Sequence, residues 1–167
     1  MTLRRPGTRG SRGAVLLTGF LLAGCGAGPI SAEPPSPTTV EADACRALVD
    51  SLPDELAGED RREVTDGDGL VAAWGDPAIV LRCGVDSPDG FTRASTCVVA
   101  NDTGWFVPDE VLNSGDAAVD VTMTAVDVRP RVEIFLPGDY RPDGFLATTG
   151  TLGLLLSQQL ERERRCR

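Results

Sequence analysis

Three short stretches of this chain carry residue types that can do chemistry: Asp102-Thr-Gly104, Asp66-Gly-Asp-Gly69, and Arg82 beside Cys83. Asp102-Thr103-Gly104 spells the loop of aspartic proteases, where two carboxylates share a proton and activate water. Only one copy is present and the polar Asn101 precedes it, so a hairpin turn is the expected role. Asp66-Gly-Asp-Gly69 begins like a calcium loop, but the later ligands and the closing bidentate Glu are missing at the required spacing, which leaves an acidic turn. The chain has no histidine, which excludes Ser-His and Cys-His nucleophile pairs and histidine-ligated metals. No catalytic residue, metal site or cofactor is therefore expected. Arg61, Arg62 and Arg82 are candidate contacts to a ligand or partner, because a guanidinium fork holds carboxylate or phosphate through paired hydrogen bonds; pairing with neighbouring acids is the ordinary alternative. Trp74 and Trp105 are either packing residues or a flat platform for a ligand or partner.

Alternation and helical spacing supply the elements that would hold these residues. Thr38-x-x-Glu41 is a capping-box pattern, and Cys45, Leu48, Val49 and Leu52 follow at helical spacing before Pro53 ends the run. Ile79, Leu81, Cys83 and Val85 alternate with Val80, Arg82 and Gly84, which puts Cys83 on the covered face of a strand and Arg82 on the other. Val119 to Ala125 and Arg131 to Leu136 alternate in the same way, the pattern of antiparallel strands with one covered face. Residues 96–108 read as two short strands about Asn101–Gly104, and Ser87-Pro-Asp-Gly90 is a further turn signal. Residues 145–165 read as a helix, weakened by Gly150 and Gly153 at about 1 kcal/mol each. The expected fold is α+β: an antiparallel sheet of four to six strands with N- and C-terminal helices packed on one face.

The first residues concern location. Arg4, Arg5, Arg9 and Arg12 precede an apolar run from Ala14 to Ala23, then Gly24-Cys25. This is the layout of an export signal, too short in its apolar part for the ~20 residues that span a bilayer. Leu22-Ala-Gly-Cys25 resembles the bacterial lipobox, whose cysteine is acylated and becomes the new N-terminus. Arg4-Arg5 also admits twin-arginine export, although the flanking residues fit that pattern poorly. Residues 1–24 are thus read as a lipoprotein signal peptide, 25–39 as a flexible Pro/Gly/Ser spacer after lipidated Cys25, and 40–167 as one domain. All sixteen basic residues are Arg; with four in the signal, twelve face twenty-five acids, a net charge of −13. Such a surface repels nucleic acid and anionic lipid headgroups.

Four further cysteines, Cys45, Cys83, Cys97 and Cys166, make an even set in an exported chain, where disulfides are the default. Three pairings are possible. Cys45–Cys83 with Cys97–Cys166 is favoured, because the first joins helix to sheet and the second fastens the C-terminus.

The chain resembles the actinobacterial lipoproteins grouped as domain of unknown function 3515. The resemblance rests on Cys45-Arg-Ala-Leu48, Leu52-Pro53, Arg61-Arg62, Ala73-Trp-Gly-Asp-Pro77, Leu81-Arg-Cys-Gly-Val85 and Trp105, and runs over about residues 44–140. It implies Cys45–Cys83 as the shared disulfide and Cys97 with Cys166 as an additional pair, and it brings no catalytic residue. The expected protein is a non-enzymatic binding or accessory lipoprotein on the outer, extracytoplasmic face of the cell membrane. Its lipid anchor sits in the bilayer, and an envelope protein, lipid or cell-wall ligand meets the sheet face bearing Arg82 and the tryptophans. The alternative is an extracytoplasmic hydrolase that uses acidic residues only.

Overall fold

The Thr38 hydroxyl accepts the Glu41 amide while the Glu41 carboxylate accepts the Thr38 N–H, a reciprocal cap that fixes the start of helix α1 (Thr39–Ser51). The structure, a computed structural model, describes residues 28–92, 94–116, 118–141 and 143–163; the signal segment, Cys25 and Cys166 lie outside them. Before α1 comes β1 (Ile30–Ser31). After it come β2 (Glu55–Leu56), β3 (Glu59–Arg62), β4 (Val64–Thr65), β5 (Val71–Trp74), β6 (Ile79–Cys83), β7 (Val98–Ala100), β8 (Thr103–Phe106) and the short helix α2 (Asp109–Leu112). The chain ends in β9 (Val121–Ala125), β10 (Val128–Arg129), β11 (Val132–Leu136), a 3-10 turn (Gly138–Tyr140), α3 (Asp143–Gln159) and β12 (Glu161–Arg162).

Eight strands form one antiparallel sheet in the order β2-β3-β5-β6-β11-β9-β8-β7, larger than the four to six strands expected. The strands beyond the expectation lie where periodicity is blind. β3 is the charged run Glu-Asp-Arg-Arg, and all four residues of β5 are buried, so neither alternates. The C-terminal helix is shorter than the expected 145–165: it stops at Gln159, and Glu161–Arg162 then pairs with Val128–Arg129.

Register divides the large sheet into two faces. Cys83 stands opposite Val132, Val132 opposite Ala125, and Ala125 opposite Trp105. With Leu81, Met123 and Ile134 they join Cys45 and Leu48 of α1 and Leu152 and Leu156 of α3 in one buried cluster. Each such large apolar side chain contributes roughly 1.5–3 kcal/mol on burial. The expected Cys45–Cys83 disulfide bolts α1 to β6 inside this cluster, with S–S 2.02 Å. Cys97 is also disulfide-bonded, and Cys166, its expected partner, lies outside the described residues.

One of the two glycines that weakened the α3 expectation, Gly153, has a packing reason. A Cβ at Gly153 would lie 2.4 Å from the Ala100 carbonyl oxygen, so only glycine lets the helix approach the β7–β8 hairpin this closely. The hairpin then uses the helix backbone: Thr103 Oγ1 donates to the Gly153 carbonyl at 2.9 Å and Asn101 Nδ2 to the Gly150 carbonyl at 2.7 Å. Asn101 and Asp102 both take positive φ, 46° and 66°, as a two-residue hairpin turn of the I′ type requires.

Residues 28–38, read as part of a flexible spacer, instead lie along the domain. Ile30–Ser31 pairs in parallel with Val64–Thr65, and Ala32 is buried. The composition was polar and proline-rich, but two main-chain hydrogen bonds, to the Glu63 and Thr65 carbonyls, offset the missing apolar side chains.

Candidate functional site

On the face opposite Cys83, one cross-strand row runs Val71, Arg82, Glu133, Thr124, Phe106 over five strands. Its ends are sealed. Val71 lies under the turn that carries Gly67, where an added Cβ would be 3.1 Å from Val71 Cβ; Phe106 meets Phe91 edge-on at 5.4 Å between ring centres. The middle is open: Arg82 Nη1 and Glu133 Oε1 stand 3.3 Å apart, with side chains 34% and 26% exposed. A half-hydrated pair of this kind contributes little to stability, and both partners stay within reach of a ligand.

Two clefts flank the pair and share Val85, Asp86 and Glu133. The smaller, about 390 Å³, lies between Arg82 and the segment Glu33–Ser36. The larger, about 890 Å³, has Thr122, Thr124, Phe106 and Glu133 as its floor and the 85–96 loop and the start of α2 as its walls. Asp86, Asp89, Asp109 and Glu110 project along its rim and are exposed. The sequence reading missed these acids. The available signals were the two Pro-Asp steps, Pro88-Asp89 and Pro108-Asp109, which mark chain reversals on either side of a strand pair.

The other candidates fall elsewhere. Arg61 donates to the carbonyls of Val49 at 2.8 Å and Leu52 at 3.0 Å and lies 5.9 Å from the centre of the Trp74 ring, so it props the end of α1. Arg62 donates to the Gly75 carbonyl at 2.8 Å and to the Gly28 carbonyl, with Asp76 at 3.9 Å. Both are structural latches in this conformation, committed to backbone oxygens. Trp74 and Trp105 are fully buried on the Cys83 face, and so the expectation that they share a binding face with Arg82 is corrected. The reason is register: Trp74 stands opposite Ile79 and Trp105 opposite Ala125, both core residues. The Trp74 indole donates to the Pro53 carbonyl at 3.0 Å, whereas the Trp105 indole nitrogen has no partner among the described residues.

Asp102 is exposed in the hairpin turn, and Thr103 is the buried residue that bonds Gly153. Asp66, Asp68 and Gly69 all take positive φ, as an acidic turn does, and Asp66 accepts from the Ser31 hydroxyl at 3.2 Å. Among the described residues, no group of three or more Asp, Glu, Cys or His side chains is placed to hold a metal ion, and no helix is long and apolar enough to cross a membrane.

A family model described as protein of unknown function (DUF3515) matches residues 13–158. The chain belongs to this family. The matched span takes in all eight strands of the large sheet, the Cys45–Cys83 disulfide and the Arg82–Glu133 pair, and so reaches well beyond the 44–140 stretch that carried the resemblance. Neither a curated protein nor a solved structure matches the chain. The DUF3515 assignment therefore brings a family without an activity, and the chemistry has to be argued from the cleft itself.

Proposed function

We propose that this protein is an actinobacterial cell-envelope lipoprotein, acylated at Cys25 and held on the extracytoplasmic face of the cytoplasmic membrane, where it works as a non-enzymatic binding or accessory module. Both helices are taken to pack on the Cys83 face. The disulfide to α1 and the Thr103–Gly153 hydrogen bond to α3 support this, and it leaves the Arg82 face for a partner. The anchor reading rests on Leu22-Ala-Gly-Cys25 after a short apolar run.

The observation that favours binding over hydrolysis is the environment of the cleft acids. Asp86, Asp89, Asp109 and Glu110 stand in water and Glu133 is ion-paired, whereas a general acid needs a carboxyl sealed in apolar surroundings. An acidic, open cleft suits a ligand carrying amino or guanidinium groups, such as a peptide-bearing wall fragment with a free amine. The test is to titrate the protein with such fragments and to assay the same mixtures for cleavage. Saturable binding without products, weakened at least tenfold in the Asp109→Asn/Glu110→Gln variant, is the expected result. Turnover of the fragments would replace this reading with the acid-only hydrolase.

A further inference from the structure

We infer that the domain is moored directly against the bilayer by the Gly75–Pro77 end of its sheet, on a tether of three peptide links, and does not hang from a free spacer. The inference rests on acylation at Cys25 as proposed above; its other support is the course of residues 28–38. The Ile30 amide donates to the Glu63 carbonyl at 2.9 Å and the Ala32 amide to the Thr65 carbonyl at 3.4 Å. Arg62 ties the Gly28 carbonyl to that of Gly75. Farther on, Glu33–Ser36 walls the Arg82 cleft, and Pro37 packs so closely on Gly84 that a Cβ there would lie 2.7 Å from the proline ring. The segment is therefore a strap clasped along the domain from Gly28 to the cap of α1.

Chain length converts this contact pattern into a geometry. Had everything between Cys25 and Thr39 been free, fourteen links could reach roughly 50 Å; with the strap clasped, the three links from Cys25 to Gly28 reach about 11 Å at most. Direction follows from the strand order. Gly28 shares Arg62 with Gly75, at the turn between β5 and β6, and β6 runs away from that turn for five residues, about 17 Å. At its far end lie Gly84 and the Val126–Arg131 connection, which carries Arg129 and Arg131 around Glu163. The lipid surface thus faces the Gly75–Pro77 end, the arginine-bearing end points into the envelope, and the clefts beside Arg82 open to the side, parallel to the membrane. The membrane-facing end carries the exposed Asp76 and Asp139. Proximity is therefore imposed by the tether, and salt should not release it.

The test uses the full chain made in a bacterium that processes lipoproteins, on a supported bilayer of phosphatidylcholine and phosphatidylglycerol. Intact mass reports acylation first. Hydrogen exchange then reads the Ile30 and Ala32 amides, and neutron reflectometry reads the gap between headgroups and protein. Protected amides and a gap within about 11 Å, widened by roughly 20 Å when twelve Gly/Ser residues are inserted after Gly26, are expected. Amides that exchange at the rate of free chain, or a gap of several tens of ångströms in the wild type, would overturn the mooring while leaving the lipoprotein reading intact. Absence of acyl mass would overturn that reading and the mooring with it. Protected amides would in that case show that the strap belongs to the domain alone.

Discussion

The two faces of the eight-stranded sheet are built from alternate residues of the same strands, yet they are closed by different means. On the Cys83 face, the apolar side chains of the strands belong to one contiguous buried cluster, with a covalent bolt to α1 among them. On the Arg82 face the cover is piecemeal: the Gly67 turn over Val71, Phe91 over Phe106, and the strap beside Arg82, with an ion pair and two clefts left between. The first face is where stability is concentrated; the second is where side chains remain within reach of solvent and ligand. Substitutions on the two faces should therefore separate cleanly in size.

The largest effect belongs to the bolt. Replacing both cysteines in Cys45→Ala/Cys83→Ala opens a loop of sequence separation 38 and should lower unfolding free energy by about 4 kcal/mol in urea melts. That is a large share of the 5–15 kcal/mol typical of a domain. A loss below ~1 kcal/mol would mean that the helix-to-sheet contact holds without it.

The two tryptophans sharpen the comparison within the core. Trp74→Phe strands the Pro53 carbonyl, which loses its indole donor, and should cost about 1–3 kcal/mol beyond the lost volume. Trp105→Phe removes an indole nitrogen that has no partner among the described residues, so only the volume change remains. Equal losses in the two variants would contradict this assignment of partners.

On the other face, Arg82→Ala should cost only about 0.2–1 kcal/mol, and the double variant Arg82→Ala/Glu133→Ala little more, because the pair is half hydrated. A loss above ~2 kcal/mol would make Arg82 a strut and not a surface available to a partner. The smallest effect concerns the cap of α1. Hydrogen bonds from the Thr38 hydroxyl and then the Thr38 amide hold the Glu41 carboxyl below its ordinary value of 4.5. A lowered folded-state pKa stabilises fully above about 4.5, and that contribution is lost as pH falls through the lowered value. The stability difference between wild type and Glu41→Gln should accordingly shrink in acid melts below that pH, and a difference that grew there would reverse the sign.

Legibility in the sequence follows the same division. Strands with one covered face announced themselves by alternation, which is why β6, β9 and β11 and the Cys83 side of β6 could be read directly, and why Cys45–Cys83 was the favoured one of three possible pairings. The Thr38–Glu41 cap was equally plain, since its two partners are three residues apart. Alternation failed for β5, buried on both sides, and for β3, whose arginines latch onto backbone oxygens and leave no apolar pattern. The tryptophans were assigned to the wrong neighbours because their face depends on register with Ile79 and Ala125, a tertiary fact absent from local spacing. The clefts were invisible for a related reason: their acids come from the 85–96 loop, α2 and β11, and only the sheet order brings them together.

The contact of Arg61 with the end of α1 bears on how the molecule comes apart. The last turn of α1 contains no basic residue, so the partial negative charge of its carbonyls is met from outside, by a guanidinium on strand β3 that reaches Val49 and Leu52. Helix and strand β3 thus share one fate in partial unfolding: peeling β3 from the sheet removes the donors that keep the helix from fraying, and fraying the helix frees the arginine that steadies β3. The N-terminal third of the domain is in this sense a single cooperative unit, closed by two clasps of different chemistry, one covalent at Cys45 and one electrostatic at Arg61.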